Sequence, residues 1–203
     1  MKKSLAFFIP GAGQRQWGLL LQRLSIEGYN PEPIIIDWRR GNFREWLCQI
    51  NEHVSSAIKV LGNLGKGERF THERNIAIGF SYGGILTLHI SRDLKLRKYC
   101  CSTPNFYNIG LRRKFDKLTN RTAGFKTDWN EFDALPSPDG RDTIFVYAEK
   151  DLKDYCLSSH ELSFRFKSTT YCAPNAEHNI NSLEYISSLQ YLIELDDRRD
   201  RSG

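Results

Sequence analysis

One serine lies between glycines at the end of a short apolar run. Residues 75–84 read NIAIGFSYGG, and Ser81 occupies the middle of a G-x-S-x-G pattern. A serine hydroxyl is a weak nucleophile at its ordinary pKa, so it needs a neighbouring base, most often a histidine that a third group orients. The pattern therefore predicts nucleophilic chemistry at Ser81 if a histidine and a carboxylate lie within reach.

Only one of the five histidines directly follows a strand-like segment. His178 lies in CAPNAEHNI, between the last apolar run and the final helical pattern. The other candidates fall in helical patterns or in other polar segments: His53, His72, His89 and His160. Because ligands of open parallel sheets bind beyond the carboxyl ends of the strands, the sequence favours His178 as the base.

A carboxylate that could orient this histidine follows the preceding strand-like segment. The stretch FVYAEKDLKDY offers Glu149, Asp151 and Asp154. Asp151 comes a couple of residues beyond the predicted strand, where a turn could direct it toward His178. Asp151 is therefore the first choice for the third group, and Asp154 is the second.

These residues must be positioned by alternating strands and helices. Strands are predicted at 5–10, 32–38, 75–80, 98–104, 143–149 and 169–174, with helical patterns between most of them. Continuous apolar strands that alternate with helices are typical of a parallel sheet covered on both faces. We therefore predict an α/β fold with three layers, built on a doubly wound, mostly parallel sheet of about six strands.

The domain organisation is predicted to be simple. With 203 residues, 40% of them hydrophobic, the chain is expected to form a single domain over 1–195, followed by a frayed tail at 196–203. Residues 105–141 interrupt the alternation, and long segments of this kind are often functional. This segment is either a small cap over the strand ends or a crossover helix with a long polar loop.

Composition narrows the setting and the partners. Five cysteines without C-x-x-C spacing favour free thiols and a cytoplasmic location. No stretch approaches the roughly 18 apolar residues of a membrane span, and the apolar run at the N-terminus is too short for a signal peptide. The net charge of +5 comes without a nucleic-acid-binding signature. We expect no metal and no cofactor, and the oligomeric state cannot be read from the sequence.

The same segments resemble the α/β-hydrolase superfamily over nearly the whole chain. The resemblance is carried by FFIPGAGQRQW, GFSYGG, YAEKD and PNAEHNI. The order Ser81, Asp151, His178 is the order of the superfamily's catalytic triad. Since the chain begins at what resembles the family's third strand, the resemblance implies a minimal member that lacks the first two strands, with the strand order 2-1-3-4-5-6.

The resemblance also implies roles for these residues. Ser81 would attack an acyl carbonyl, His178 would act as the general base, and Asp151 would orient it. The backbone N–H groups of Tyr82 and Ala12 would form the oxyanion hole, with Gly13 as the second choice for Ala12. Where the family often has His-Gly before the oxyanion residue, this chain has Pro-Gly, which leaves a backbone donor intact.

The expected function is hydrolysis of a carboxylic ester or thioester through an acyl-enzyme. The alternatives are a non-catalytic binding protein on the same scaffold and a peptidase or lyase that uses the same triad. We expect a medium acyl chain on an anionic carrier, such as coenzyme A or an acidic acyl-carrier protein. The predicted substrate-binding residues are aromatic or basic: Trp17, Phe106, Tyr107, Arg112, Arg113 and Trp129.

Overall fold

Six parallel strands form the central sheet in the computed structural model, which describes residues 4–14, 17–63, 74–124 and 127–202. The strands are β1 (Leu5–Ile9), β2 (Asn30–Pro33), β3 (Ile76–Phe80), β4 (Arg97–Cys101), β5 (Thr143–Ala148) and β6 (Thr169–Ala173). Their order is β2-β1-β3-β4-β5-β6, and every neighbouring pair is parallel. The predicted strand order is confirmed.

Helices cover both faces of this sheet. They are α1 (Gly18–Ile26), α2 (Phe43–Asn63), α3 (Tyr82–Leu88), α4 (Ile109–Ala123), α5 (Trp129–Asp133), α6 (Lys153–Phe166) and α7 (Leu183–Ser202), with a short 3-10 helix at Arg92–Leu94. Helices α1 and α7 pack on one face, and α2 to α6 contribute to the core on the other. The described helices include none that is long and apolar enough to cross a membrane.

Successive side chains of the strands enter two separate cores. Phe7 packs into the core on the α2 side, whereas Phe8 packs into the core on the α1 side, and both are fully buried. Burial of each such side chain stabilises the fold by about 2–3 kcal/mol. Because both faces of the strands are covered, the strands read as continuous apolar runs, and the predicted three-layer class is confirmed.

The second strand differs from its prediction at 32–38. It spans Asn30–Pro33 and pairs along its whole length with β1. This strand lies at the edge of the sheet, where Pro31 and Pro33 are tolerated because only one side of the strand needs ladder hydrogen bonds. The apolar residues that suggested a strand follow it instead, and Ile36 is buried in the core on the α2 side.

The C-terminal segment is helical where a frayed tail was predicted. Helix α7 continues to Ser202, so the prediction does not hold for 196–202. Asp196 is buried, accepts a 2.9 Å hydrogen bond from the Tyr99 hydroxyl and lies 3.3 Å from Arg97. These contacts with β4 attach the last turns of the helix to the sheet.

Candidate active site

The turn from β3 into α3 holds Ser81 in an uncommon backbone conformation. Its φ is 51° and its ψ is −119°. The Ser81 N–H donates to the Cys101 carbonyl at 2.8 Å, and the Ser81 carbonyl accepts from the Gly84 N–H at 2.9 Å. A positive φ at a residue other than glycine costs on the order of 1–3 kcal/mol and persists only where the surroundings fix it. Serine is therefore held at the bend by the strand beside it and by the helix after it.

Glycines around the serine are required by close packing. A Cβ atom on Gly79 would overlap Thr87 Oγ1, and one on Gly83 would overlap the carbonyl oxygens of Ile9 and Pro10 at the end of β1. These contacts leave no room for a side chain, so the strand, the helix and the loop after β1 can meet only with glycine there. The glycines of GFSYGG thus allow the close packing of this turn.

The imidazole of His178 and the carboxylate of Asp151 are brought together after β6 and β5. His178 Nδ1 lies 2.9 Å from Asp151 Oδ1, and the Asp151 side chain is 0% exposed. The Leu152 N–H donates to the same oxygen at 2.8 Å. The Lys150 N–H donates to the Ala176 carbonyl at 2.9 Å, which fastens one loop to the other. The two predicted partners thus form a hydrogen-bonded pair at the carboxyl edge of the sheet, with a buried carboxylate and a partly exposed imidazole.

The other acidic candidates have different partners. Asp154 forms an ion pair with Lys114 of α4. Glu149 accepts a 2.7 Å hydrogen bond from the Asn175 N–H. Asp151 is therefore the carboxylate that the structure places on His178.

Three of the other four histidines contact aromatic side chains. His89 is hydrogen-bonded to Tyr107 at 2.8 Å, His160 to Tyr147 at 3.2 Å, and the His53 ring packs edge-on against Phe7. His72 lies outside the described residues. Burial lowers the pKa of His89 to about 4, with a further contribution from the Lys98 charge. His89 is therefore neutral near pH 7.

Tyr155 is a residue of this site that the sequence analysis missed. The His178 ring lies between Phe80 and Tyr155, with centroid distances of 4.8 and 4.5 Å. Burial raises the pKa of Tyr155 to about 12, an effect that a hydrogen bond with Ser81 partly offsets. The sequence could have indicated Tyr155, because it lies in the first turn of the helix that follows Asp151 and therefore at the same edge of the sheet.

Ser81 and His178 line one cavity. Its volume is about 350 Å³, and most of its lining surface is apolar. The lining residues are Gly11, Ala12, Gly13, Gln14, Phe80, Ser81, Tyr82, Pro104, Phe115, Leu152, Tyr155 and His178. Among the described residues, no hydrogen bond joins Ser81 to His178. A catalytic hydrogen bond is often long in a ligand-free site and tightens on substrate binding.

Both predicted oxyanion residues line this cavity, Ala12 in the loop after β1 and Tyr82 at the start of α3. The Gly11 N–H donates to Gln14 Oε1, and the Gln14 N–H donates back to the Gly11 carbonyl, each at 3.0 Å. Within the described part of the chain, the Ala12 N–H has no hydrogen-bond partner. Tyr82 is the first residue of α3, so its N–H precedes the hydrogen-bond ladder of the helix. The loop thus places backbone donors beside Ser81.

The six predicted substrate-binding residues do not line this cavity. Trp17 packs on Phe8, with ring centroids 5.9 Å apart. Arg112 Nη1 donates to Asp133 at 2.8 Å, and its guanidinium lies 4.8 Å from the centre of the Trp129 ring. Arg113 is exposed on α4 and is not part of the cavity wall. Arg112 therefore stabilises the α4–α5 segment and does not line the cavity at Ser81.

The aromatic residues of 105–141 form a cluster of their own. Phe106 packs edge-on against Phe132 at 5.6 Å and against Trp129 at 5.2 Å, and Tyr107 packs on Phe132 at 5.2 Å. Phe132 in turn contacts Phe43 of α2 at 5.2 Å. Phe106 and Phe132 are buried in this cluster, Tyr107 and Trp129 are half-buried, and none of the four lines the cavity at Ser81. That the segment acts as a cap stays a prediction, although Phe115 of α4 lines the cavity.

Nothing in the described ranges resembles a metal centre, because they contain no group of three or more histidine, cysteine, aspartate or glutamate side chains that could hold a metal ion. All five cysteines are free thiols. The polar groups at the candidate site are the Ser81 hydroxyl, the His178 imidazole, the buried Asp151 carboxylate and backbone N–H groups.

Comparison with known proteins identifies the fold. No protein-family model and no curated protein sequence matches the chain significantly. Several solved structures share its architecture at low identity. Est1E from Butyrivibrio proteoclasticus is 13% identical, with a TM-score of 0.57 over 95% of this chain and 88% of that one. Esterase B from Lactobacillus rhamnosis, inhibited by a tributyrin phosphonate, is 14% identical, with a TM-score of 0.63 over 99% and 78%.

A third similar structure is a provisionally named thioesterase from Silicibacter sp. TM1040. It is 14% identical, with a TM-score of 0.65 over 94% of this chain and 75% of that one. Together with the strand order and the turn at Ser81, these similarities establish that the chain has the α/β-hydrolase fold.

Proposed function

We propose that this protein is a serine hydrolase that cleaves a carboxylic ester or thioester through an acyl-enzyme. The observation that carries the proposal is the strained Ser81, which opens into the same cavity as a histidine paired with a buried aspartate. The similarity to structures named as esterases and a thioesterase supports the same reaction class. The fold alone does not define the function, because one fold serves many functions.

The reaction begins at the Ser81 hydroxyl. Ser81 Oγ forms a bond to the acyl carbonyl carbon, and its proton passes to His178 Nε2. That nitrogen is available as a base when Nδ1 carries the proton that is donated to Asp151. The buried Asp151 carboxylate orients the ring and stabilises the imidazolium that forms.

The tetrahedral intermediate needs donors for its negative oxygen. The backbone N–H groups of Ala12 and Tyr82 are proposed to bind it, and each such donor is typically worth about 3 kcal/mol of transition-state stabilisation. The imidazolium then gives its proton to the leaving oxygen or sulfur. Water, activated by the neutral His178, hydrolyses the ester bond to Ser81 and restores the enzyme.

The acyl group is proposed to be short or of medium length. A cavity of about 350 Å³ is near the small end of ligand sites, and Phe115, Leu152 and Tyr155 provide an apolar wall. A thioester remains as suitable as an ester, since both present the same carbonyl to Ser81.

A fluorophosphonate probe followed by intact-mass measurement tests the proposal. We expect one adduct on the wild type and none on Ser81→Ala, together with turnover of p-nitrophenyl or thiol esters of short acids. Unlabelled wild type, or equal labelling of the two proteins, would refute it. A non-catalytic binding protein is the second candidate, because no hydrogen bond joins Ser81 to His178 within the described part of the chain, and the His178 bond is to Asp151. It predicts substrate binding without labelling.

A further inference from the structure

A basic groove adjoins the proposed acyl site. Its volume is about 240 Å³, and it is lined by Lys114, Phe115, Lys117, Arg121, Leu152, Asp154 and Tyr155. Three of these residues, Phe115, Leu152 and Tyr155, also line the cavity that holds Ser81. The groove and the cavity therefore share a wall, and one extended molecule could occupy both.

The cations of this groove come from one face of α4. Lys114, Lys117 and Arg121 are spaced by three and four residues, so they project from the same side of the helix. Lys114 is paired with Asp154, which is the one carboxylate lining the groove. Lys117 and Arg121 are exposed and form no ion pair within the described part of the chain. Two uncompensated positive charges thus face the groove.

The position of these charges differs from the one expected for an anionic carrier. Arg112, predicted to bind the carrier, is instead committed to Asp133 and to the Trp129 ring. Lys117 and Arg121 lie further along the same helix and line the groove together with the shared apolar wall. An anion there would meet two cations, while an uncharged part of the same molecule would cross Phe115 and Leu152.

We infer that the substrate is an amphipathic acyl compound whose anionic group, a phosphate or a carboxylate, binds Lys117 and Arg121 while its acyl carbonyl lies at Ser81. The inference rests on the proposed hydrolase function and adds its substrate class. Arginine can bind either anion through two parallel hydrogen bonds, and lysine adds a point charge.

Matched thioesters test this assignment by the release of free thiol. One series joins a butyryl group to mercaptoalkanoates or mercaptoalkyl phosphates of increasing length, so that the anion lies on the leaving side. A second series uses monothioesters of dicarboxylic acids, so that it lies on the acyl side. Neutral carboxamides of the same length serve as controls for the carboxylates. We expect kcat/KM for the best anion in one series to exceed that of its neutral control by roughly 10-fold.

Variants locate the effect. Lys117→Ala with Arg121→Ala is expected to remove most of the preference, and Lys117→Glu with Arg121→Glu to reverse it, with hydrolysis of the neutral substrates unchanged within about 2-fold. Raising the ionic strength should weaken the wild-type preference and leave the double alanine variant almost unaffected. The control variant, Lys59→Ala with Arg198→Ala, removes one lysine and one arginine outside the groove. It should keep the preference for anionic substrates.

The outcomes separate the two proposals. Hydrolysis without any anion preference in either series, or a preference that only Arg113→Ala abolishes, overturns the assignment of the groove and leaves the hydrolase proposal standing. Absence of both thiol release and Ser81 labelling refutes the hydrolase proposal. Calorimetry then measures the binding of the same thioesters to Ser81→Ala, alone and combined with the Lys117 and Arg121 substitutions. Unchanged affinity in the combined variants contradicts the assignment of the groove, even without hydrolysis.

Discussion

His178 Nδ1 lies 2.9 Å from a carboxylate oxygen of Asp151, and 27 residues of chain separate the two side chains. Asp151 lies in the loop after β5 and His178 in the loop after β6, and these strands are parallel neighbours in the sheet. The second carboxylate oxygen of Asp151 is buried and has no hydrogen-bond partner among the described residues. Among the described residues, the polar partners that stabilise this buried carboxylate are therefore the His178 ring and the Leu152 N–H.

Replacing Asp151 by asparagine should nearly abolish turnover. The amide can no longer hold the His178 tautomer that leaves Nε2 free as a base, so we expect kcat to fall on the order of 10³–10⁴-fold. Steady-state hydrolysis of a neutral p-nitrophenyl ester measures the loss. Asp37→Asn, at an exposed aspartate that follows β2, is the matched control and should retain activity. A larger loss from Asp154→Asn than from Asp151→Asn would contradict the assignment.

Tyr155→Phe isolates the phenol hydroxyl near Ser81. The ring contact with His178 is kept, and the phenol hydroxyl that can interact with the proposed nucleophile Ser81 is lost. We expect kcat to change by up to roughly 10-fold, in keeping with about 1 kcal/mol for a neutral hydrogen bond. KM should change little, and circular dichroism should show an intact fold. Tyr147→Phe removes the hydroxyl that contacts His160 and serves as the control. Equal kinetics of Tyr155→Phe and the wild type would exclude a role for the hydroxyl.

A methyl group at Gly83 should destabilise the protein and the site together. Its Cβ would overlap two backbone carbonyl oxygens at the end of β1, so the loop that carries Ala12 must shift. We expect Gly83→Ala to lower the free energy of unfolding by about 1–3 kcal/mol, as overpacking does elsewhere. Gly18→Ala, in an open position at the start of α1, should instead add up to about 1 kcal/mol. Urea titration of both variants provides the measurement, and equal stabilities would argue against the packing described.

His89 should make stability depend on pH between 4 and 6.5. Burial lowers its pKa to about 4 in the folded chain, so the unfolded chain binds the proton more readily in this window. Stability is therefore present above pH 6.5 and is lost as the pH falls, by roughly 2 kcal/mol from pH 7 to pH 5. His89→Gln keeps an acceptor for the Tyr107 hydroxyl and has no proton to bind. Its free energy of unfolding should lack this part of the pH dependence, and identical pH slopes for the two proteins would refute the prediction.

Most of the fold could be predicted because both faces of its four inner strands, β1, β3, β4 and β5, are buried. Such strands leave continuous apolar runs, and the order of strands and helices then restricts the topology. The prediction of the second strand at 32–38 was wrong for a related reason. Its prolines are compatible only with an edge, and the apolar residues after it pack into the core as strand residues would.

Of the candidate site, the residues at strand ends could be predicted and the cavity wall could not. Ser81, Asp151 and His178 follow strands, so the topology alone gathers them at one edge. The wall depends on how α4 and α6 rotate over that edge, which brings Phe115 and Tyr155 inward and turns Arg112 to Asp133. Aromatic residues such as Phe106 look like ligand contacts in a sequence, yet here they pack on one another.

Tyr82 connects the proposed nucleophile to the segment that follows β4. Its backbone belongs to the turn at Ser81, its ring packs on Phe106 at 4.8 Å, and its hydroxyl is hydrogen-bonded to Thr127 at 2.5 Å. Local unfolding of 105–135 would therefore remove the contacts that fix the residue next to the nucleophile. The turn at Ser81 and this segment should exchange their amide protons as one cooperative unit. The lifetime of a competent site is then limited by the opening of a region that contributes no residue of the proposed triad.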